Sequence, residues 1–245
     1  MTERYLWKAA IYAAFLFIFG IYASTAIASI SVSPVRLDLS DDHDKGVVRI
    51  SNQEETSKSY QVEVVAWSQT DERREVYAPT DALLAVPPLF SLEPGEEQLV
   101  RIGMIEGADP TTEKSYRVFI TEIAPPQPDQ QATSGVSMRL QIGIPVFVAP
   151  TTVPFSTFEL IGSKQIGNQL FLQFHNTGNV HVKVSEVHYR ASDGAEPVVS
   201  PAAMYLLAGQ KGYVPVYLPD GMALGNVTIV TDSLGTLEYE LPVAP

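Results

Sequence analysis

Between Gly135 and Pro150 the chain reads GVSMRLQIGIPVFVAP, and every second residue is apolar: Val136, Met138, Leu140, Ile142, Ile144, Val146 and Val148. The residues between them (Ser137, Arg139, Gln141, Gly143, Pro145, Phe147 and Ala149) begin polar or small and become more apolar. A side-chain period of two belongs to a β-strand with one dry face. At roughly 3.3 Å per residue such a strand runs about 45 Å, about twice the usual length. One small sandwich does not bury all of it. Part of the dry face therefore needs cover from elsewhere, and the rest of the chain is read around that surplus.

With 245 residues, 45% of them hydrophobic, the chain can build two cores of modest size. Its net charge of −12 argues against nucleic-acid binding, which needs a basic footprint. The absence of cysteine excludes a disulfide scaffold and a thiolate metal site. Eighteen Pro and sixteen Gly punctuate many short apolar runs, the mark of an all-β protein. Residues 1–28 read as an export signal: Arg4 and Lys8, an apolar run, then Ala26-Ile27-Ala28 before Ser29. The apolar run is close to spanning length, so an uncleaved membrane anchor is the competing reading. Cleavage removes Glu3, Arg4 and Lys8 and leaves a charge of −13.

ISVSPVRLDL opens the mature chain as a strand, with Arg36 among apolar neighbours. GVVRISN, KSYQVEVVAWSQ, EQLVRI and the segment from Ser115 to Ile123 follow as strands. Pro87 and Pro88 cannot donate to a ladder, so that segment lies on an edge or changes sheets. About seven strands before Ala149 are the count of one immunoglobulin-like sandwich. After the corner at Pro150 and Pro154, seven more strand candidates predict a second, smaller one. Within it, Asn176-Thr177-Gly178-Asn179 reads as a hairpin turn between QLFLQFH and VHVKVSEVHYR.

Catalytic motifs are missing: no phosphate-cradling glycine loop, no HExxH and no GxSxG. DDHDKG, Asp41 to Gly46, reads as an acidic turn rather than a metal loop. His175, His181 and His188 flank the predicted hairpin and offer a weak metal reading; His43 stands apart. What remains is binding. An uncovered apolar edge strand is a hazard unless a partner completes it, and β-augmentation exploits that. If Val136, Met138, Leu140, Ile142 and Ile144 all entered a partner's core, they would contribute roughly 7–15 kcal/mol before ordering costs. From the pattern alone, a strand merely shared between the two sandwiches explains the length equally well.

Four stretches, in order, resemble the PapD-like periplasmic pilus chaperones of chaperone–usher systems: SPVRLDL, PPLFSLEPGEEQLVRI, YRVFITEIAPP and the alternating strand ending IPVFVAP. The PVR and IPVF forms are similar to the archaic, spore-coat-U-like branch. The resemblance implies two immunoglobulin-like β-sandwich domains arranged in an L with a cleft between them, over residues 29–149 and 150–245. It implies a non-enzymatic chaperone of the periplasm, without cofactor or metal, which lends its long strand, residues 136–149, to pilus or coat-like subunits. An outer-membrane usher then receives the subunit. Val136, Met138, Leu140, Ile142 and Ile144 match the donor positions. Arg36 matches the cleft arginine that grips a subunit's terminal carboxylate, while the family's cleft lysine falls on or near Pro145. Glu122 and Asp232 match acidic members of an interdomain charge network whose arginine falls near Ala149.

Two other readings stand beside this one: a structural or adhesive surface protein built of two sandwiches, and an enzyme with a metal at the hairpin histidines. Whether the free protein caps its own strand by forming a self-dimer is left open by the sequence.

Overall fold

The computed structural model describes residues 30–71, 74–123, 139–190, 198–218 and 225–240. Among them lie seventeen strands and no helix. The first sandwich pairs a four-stranded sheet with a larger one. The four-stranded sheet runs in the order β1 (Ile30–Ser33), β3 (Lys45–Asn52), β8 (Glu97–Met104) and β6 (Leu83–Val86). The larger sheet runs β2 (Leu37–Leu39), β10 (Gln141–Val148), β9 (Lys114–Ile123), β4 (Lys58–Gln69) and β5 (Glu75–Pro79), with β7 (Leu89–Leu92) also beside β4. Neighbours are antiparallel except β2 and β10, which run parallel.

Alternation sets the faces. In β3, Val48 and Ile50 point into the core while Val47 and Arg49 face solvent; in β8, Val100 and Ile102 point in and Leu99 and Arg101 out. Val118, Ile120, Ile144 and Val146 close the core from the other sheet. Each such side chain contributes roughly 1.5–3 kcal/mol on burial. The chain changes sheets at Pro34 and again at Pro87-Pro88. A residue without an N–H ends a ladder at little cost, so prolines suit these crossings. The PPLF segment does both things expected of it: β6 is a sheet edge, and β7 joins the opposite sheet.

The second sandwich packs β11 (Glu159–Ile166), β12 (Gln169–His175) and β15 (Lys211–Tyr217) against β14 (Val198–Leu206), β13 (Val182–Arg190), β16 (Asn226–Thr231) and β17 (Thr236–Glu240). Phe158, Phe174, Val187, Tyr189, Val216 and Ile229 fill its core. The seven segments expected after Pro154 are these seven strands.

The predicted hairpin around Asn176 is a correction. Strands β12 and β13 lie in opposite sheets, so Asn176–Asn179 is a corner that crosses the sandwich. Asn176 is fully buried and explains why. Its Nδ2 donates to Val180 O at 2.8 Å and Leu206 O at 3.2 Å, and its Oδ1 accepts from Gly178 N at 3.0 Å. These bonds fold the chain away from its own strand. Asn52 does the same at the end of β3: Nδ2 donates to Thr56 O and Leu92 O, and Oδ1 accepts from Glu54 N. Gly178 is required by packing, because a Cβ there would sit 2.5 Å from Phe155 O.

Asn176→Ala should lower unfolding free energy by about 1–3 kcal/mol, since it leaves buried carbonyls unpaired. Gly178→Ala should also destabilise, by about 1–3 kcal/mol, through backbone displacement. Urea unfolding checks both; midpoints within error of the parent protein would contradict the corner described here.

Candidate functional site: an open strand edge beside the domain junction

Burial fades along β10. Val148, Val146 and Ile144 are 3, 0 and 1% exposed and belong to the first core. Ile142 and Leu140, next along the same row, are only half-buried. The hydrogen-bonding changes at the same place. On one side β9 pairs with β10 from Gln141↔Thr121 to Val148↔Lys114. On the other side β2 covers only Val146, Phe147 and Val148, and Ala149 N extends that contact to Leu39 O at 2.9 Å. From Arg139 to Pro145 that side has no strand among the described residues.

Leu140 O accepts from Glu122 N at 2.9 Å, so the even-numbered main-chain groups face β9. In an antiparallel ladder the alternate residues face the other way. Arg139, Gln141 and Gly143 therefore direct N–H and C=O toward the open side. Pro145 also falls on that side, where a missing N–H costs no bond within the sheet. Among the described residues this edge combines a half-covered apolar row with backbone groups that have no neighbouring strand, the combination that accepts an added strand.

Placing the predicted donor residues divides them. Val136 and Met138 lie outside the described residues. Leu140 and Ile142 stand at the open edge. Ile144 is sealed in the first core, so its side chain is already committed within this chain; it is the place where the row stops being available.

At the other end of β10 the two sandwiches meet. Trp67, Phe147 and Leu207 form a small buried cluster against Tyr205. The Phe147 ring stacks on His181 with centroids 3.6 Å apart, and Trp67 meets Tyr205 edge-on. Polar clamps surround the rings. The buried Gln69 amide donates to Tyr205 O at 3.0 Å and accepts from Leu207 N at 3.1 Å, making a two-bond bridge from one sandwich to the other. The Glu113 carboxylate accepts from His181 Nδ1 at 2.8 Å and from His181 N at 3.1 Å. Thr151 N and Thr152 N, in the linker, donate to Asp109 O and Pro110 O. The Thr111 N–H, then Lys114 and the Thr112 N–H, hold the Asp109 carboxyl well below the usual carboxylate range.

Arg36 stands at this junction, and it is half-exposed rather than buried, its side chain retaining 37% of its exposure. Its Nε donates to Asp38 Oδ2 at 2.9 Å and its Nη1 to Asp232 Oδ2 at 3.1 Å. Partial burial opposes its charge, but the Asp38 carboxylate, aided by Asp232, outweighs this and raises its pKa. Asp232 also accepts from Lys183 N, so Arg36 ties the first sandwich to a turn of the second. Glu122 is elsewhere. It pairs with Lys58 Nζ at 2.8 Å, eight residues along β9 from Lys114 and so about 27 Å from the junction. The structure does not bring Glu122 and Asp232 together: Glu122 is at the end of β9 far from the junction, and Asp232 is in a turn of the second sandwich at the junction. Across the ladder from Pro145, Arg117 lays its guanidinium 4.0 Å above the Trp67 ring.

The histidines do not converge, since the hairpin that would have grouped them is a corner: His181 binds Glu113 and His188 binds Glu186. Among the described residues no group of three His, Cys, Asp or Glu side chains is placed to hold a metal. Reading the sequence missed Gln69, Glu113 and Tyr205 entirely. Phe147 carried a signal, as an aromatic residue on the face of its strand opposite the apolar row.

The comparisons with known proteins agree with this architecture. Residues 29–154 match the model of the pili and flagellar-assembly chaperones, PapD N-terminal domain. The chain belongs to that family. No curated protein matches it. Among solved structures, it is similar to a chaperone–tip adhesion subunit pre-assembly complex, CsuC–CsuE, of the archaic Csu pili of Acinetobacter baumannii. That match has a TM-score of 0.62 and 16% identity, and covers 86% of this chain and 97% of the other. The YadV chaperone gives 0.60 and 16%, covering 86% and 98%. The Salmonella enterica SafA pilin–SafB chaperone complex gives 0.58 and 18%, covering 89% and 99%. At such identities these likenesses show the fold: two immunoglobulin-like sandwiches.

Gln69→Ala should remove the two-bond bridge, lower the junction's stability by about 1–3 kcal/mol and separate the calorimetric unfolding of the two sandwiches. An unchanged, single transition would contradict the clamp. A carboxyl with a depressed folded pKa contributes fully above the unfolded carboxylate range and loses that contribution only as pH falls through the folded value. The Asp109 loop should therefore survive mild acid. Asp109→Asn should speed amide exchange at Thr151 and Thr152 at neutral pH; unchanged exchange would mean the carboxylate does not hold the linker.

Proposed function

We propose that this protein is a periplasmic assembly chaperone that binds pilus or coat-like subunits by lending them β10, and then delivers them to an outer-membrane usher. The observation that carries the reading is the division of β10. One half is fixed in the chaperone's own core, and the other presents Leu140, Ile142 and a free backbone edge. A subunit lacking one strand of its own sandwich would pair with that edge and accept the apolar row. Completing the burial of two half-covered aliphatic side chains contributes on the order of 1.5–3 kcal/mol, and the new ladder bonds add to it. Residues before Leu140, with Val136 and Met138, extend the same row on this reading. No nucleotide is needed, because the subunit is held short of its most stable fold and moves downhill at the usher.

Arg36 is proposed to meet the subunit's terminal carboxylate. Asp38 and Asp232 each take one of the five donors of its guanidinium fork, and its exposed part faces the incoming chain. Residues 1–28 are proposed as the export signal, with residues 29–149 as the strand-lending domain and 150–245 as the second domain.

Co-expression with a client subunit tests the reading. Leu140→Arg with Ile142→Arg should abolish recovery of the complex from periplasm while leaving the chaperone folded. Undiminished protection of the subunit would overturn strand donation. Mass spectrometry of the exported protein should find Ser29 at its start; an intact Met1 would support the anchor instead.

A further inference from the structure

We propose that a notch at Gly143, floored by the Phe119 ring, is a specificity subsite that takes one large apolar side chain, aromatic or branched, from the client strand laid along β10. The inference rests on the strand-lending reading and adds which client residue the outer face of the sheet selects.

Glycine inside a strand brings no side chain to the sheet and marks a place that something approaches closely. At Gly143 that is Phe119. The two residues pair directly across β10 and β9, at a position where their main chains exchange no hydrogen bond and side chains lie closest. A Cβ on Gly143 would sit 3.0 Å from Phe119 Cε1 and 3.3 Å from Arg117 Cδ, so the half-buried ring leans from β9 onto β10. Tyr77 supports it from the β5 side, edge-on with centroids 5.1 Å apart. The Tyr77 hydroxyl donates to Glu75, which also accepts from Arg117 Nη2 at 3.3 Å.

On either side of Gly143 the outer row of β10 is filled. The Gln141 amide donates to Thr121 Oγ1 at 3.0 Å, and Pro145 is buried across the ladder from Arg117. The Arg117 guanidinium is engaged by the Trp67 ring and Glu75, so what the notch offers a partner is the Phe119 ring.

Ladder geometry says what fills it. Residues side by side on paired strands project to the same face. The notch is continuous with the open edge of β10, toward which Gly143 directs its own N–H and C=O. A client residue set beside Gly143 therefore sends its side chain over the glycine to the Phe119 ring, a path that a side chain at position 143 would close. An aromatic occupant gains the edge-to-face or offset contact as well as burial. Leu140 and Ile142 give side chains to the client; at Gly143 the direction reverses, and the client gives one to the chaperone.

The test uses the chaperone–subunit complex purified from periplasm. Photoreactive p-benzoylphenylalanine at position 119 should crosslink to one apolar residue in the subunit strand beside β10, located by mass spectrometry. Ala at that client residue, or Phe119→Ala, should each shorten the half-life of the complex against excess labelled chaperone by about tenfold. Combined, they should be no worse than either alone, and Phe119→Leu should keep part of the half-life. A ring that only covers a glycine within its own sheet would give additive effects, and the comparison is made within each chaperone variant, so a change in the chaperone's own stability cancels. Additive effects, a crosslink to a polar residue or no crosslink would overturn the subsite. A crosslink only outside any strand beside β10 would overturn strand lending with it. Failure of the subsite alone leaves the outcome of the Leu140 and Ile142 variants as expected, so the two failures are distinguishable.

Discussion

A single strand in this protein has unequal claims on its two halves. From Val146 to Val148, β10 is held on both edges and on its inner face, by β9, by β2 and by the first core. From Leu140 to Pro145 it keeps β9 but has no second neighbour among the described residues. The held half makes the open half rigid: the ladder to β9 runs unbroken through both, so the free edge is presented already extended. Preorganisation of this kind lowers the ordering cost that a flexible segment would meet on binding.

The junction places that edge. Phe147 belongs to β10 itself, and its ring is stacked between the two sandwiches on His181. The strand that offers the edge is therefore also the strand that docks the second sandwich. Gln69, Glu113 and Arg36 each send one side chain across. The relative position of the sandwiches is thus set by directional bonds as well as by apolar contact, and anything seated against β10 meets a defined wall.

Much of this was legible in the sequence because period-two alternation is a local property. The even row from Leu140 to Val148 specified a strand and its inner face, and Pro87-Pro88 specified a sheet crossing. Corners are a different matter. NTGN has the composition of a hairpin turn, and only the burial of Asn176, with partners at Val180 and Leu206, turns it into a crossing. Asn52 performs the same task in the first sandwich, but a lone Asn at a strand end carries no signal for it. Contacts between distant segments were likewise hidden: Gln69 with Leu207, Glu113 with His181 and Arg36 with Asp232 join residues far apart in the chain. Glu122 shows the converse, a residue whose place in a motif suggested the junction but whose strand carries it to the far end. β5 was overlooked because its side chains are all exposed and leave no apolar pattern.

The alternation of main-chain direction along β10 gives the central claim its most direct measurement, amide hydrogen exchange residue by residue in the monomeric free protein and in its complex with a subunit. Ile142 and Ile144 should be protected in both states, since their N–H groups face β9. Gln141 and Gly143 should exchange freely in the free protein and become protected in the complex. Protection of Gln141 and Gly143 before any partner is added, or its absence once the subunit is bound, would contradict the account.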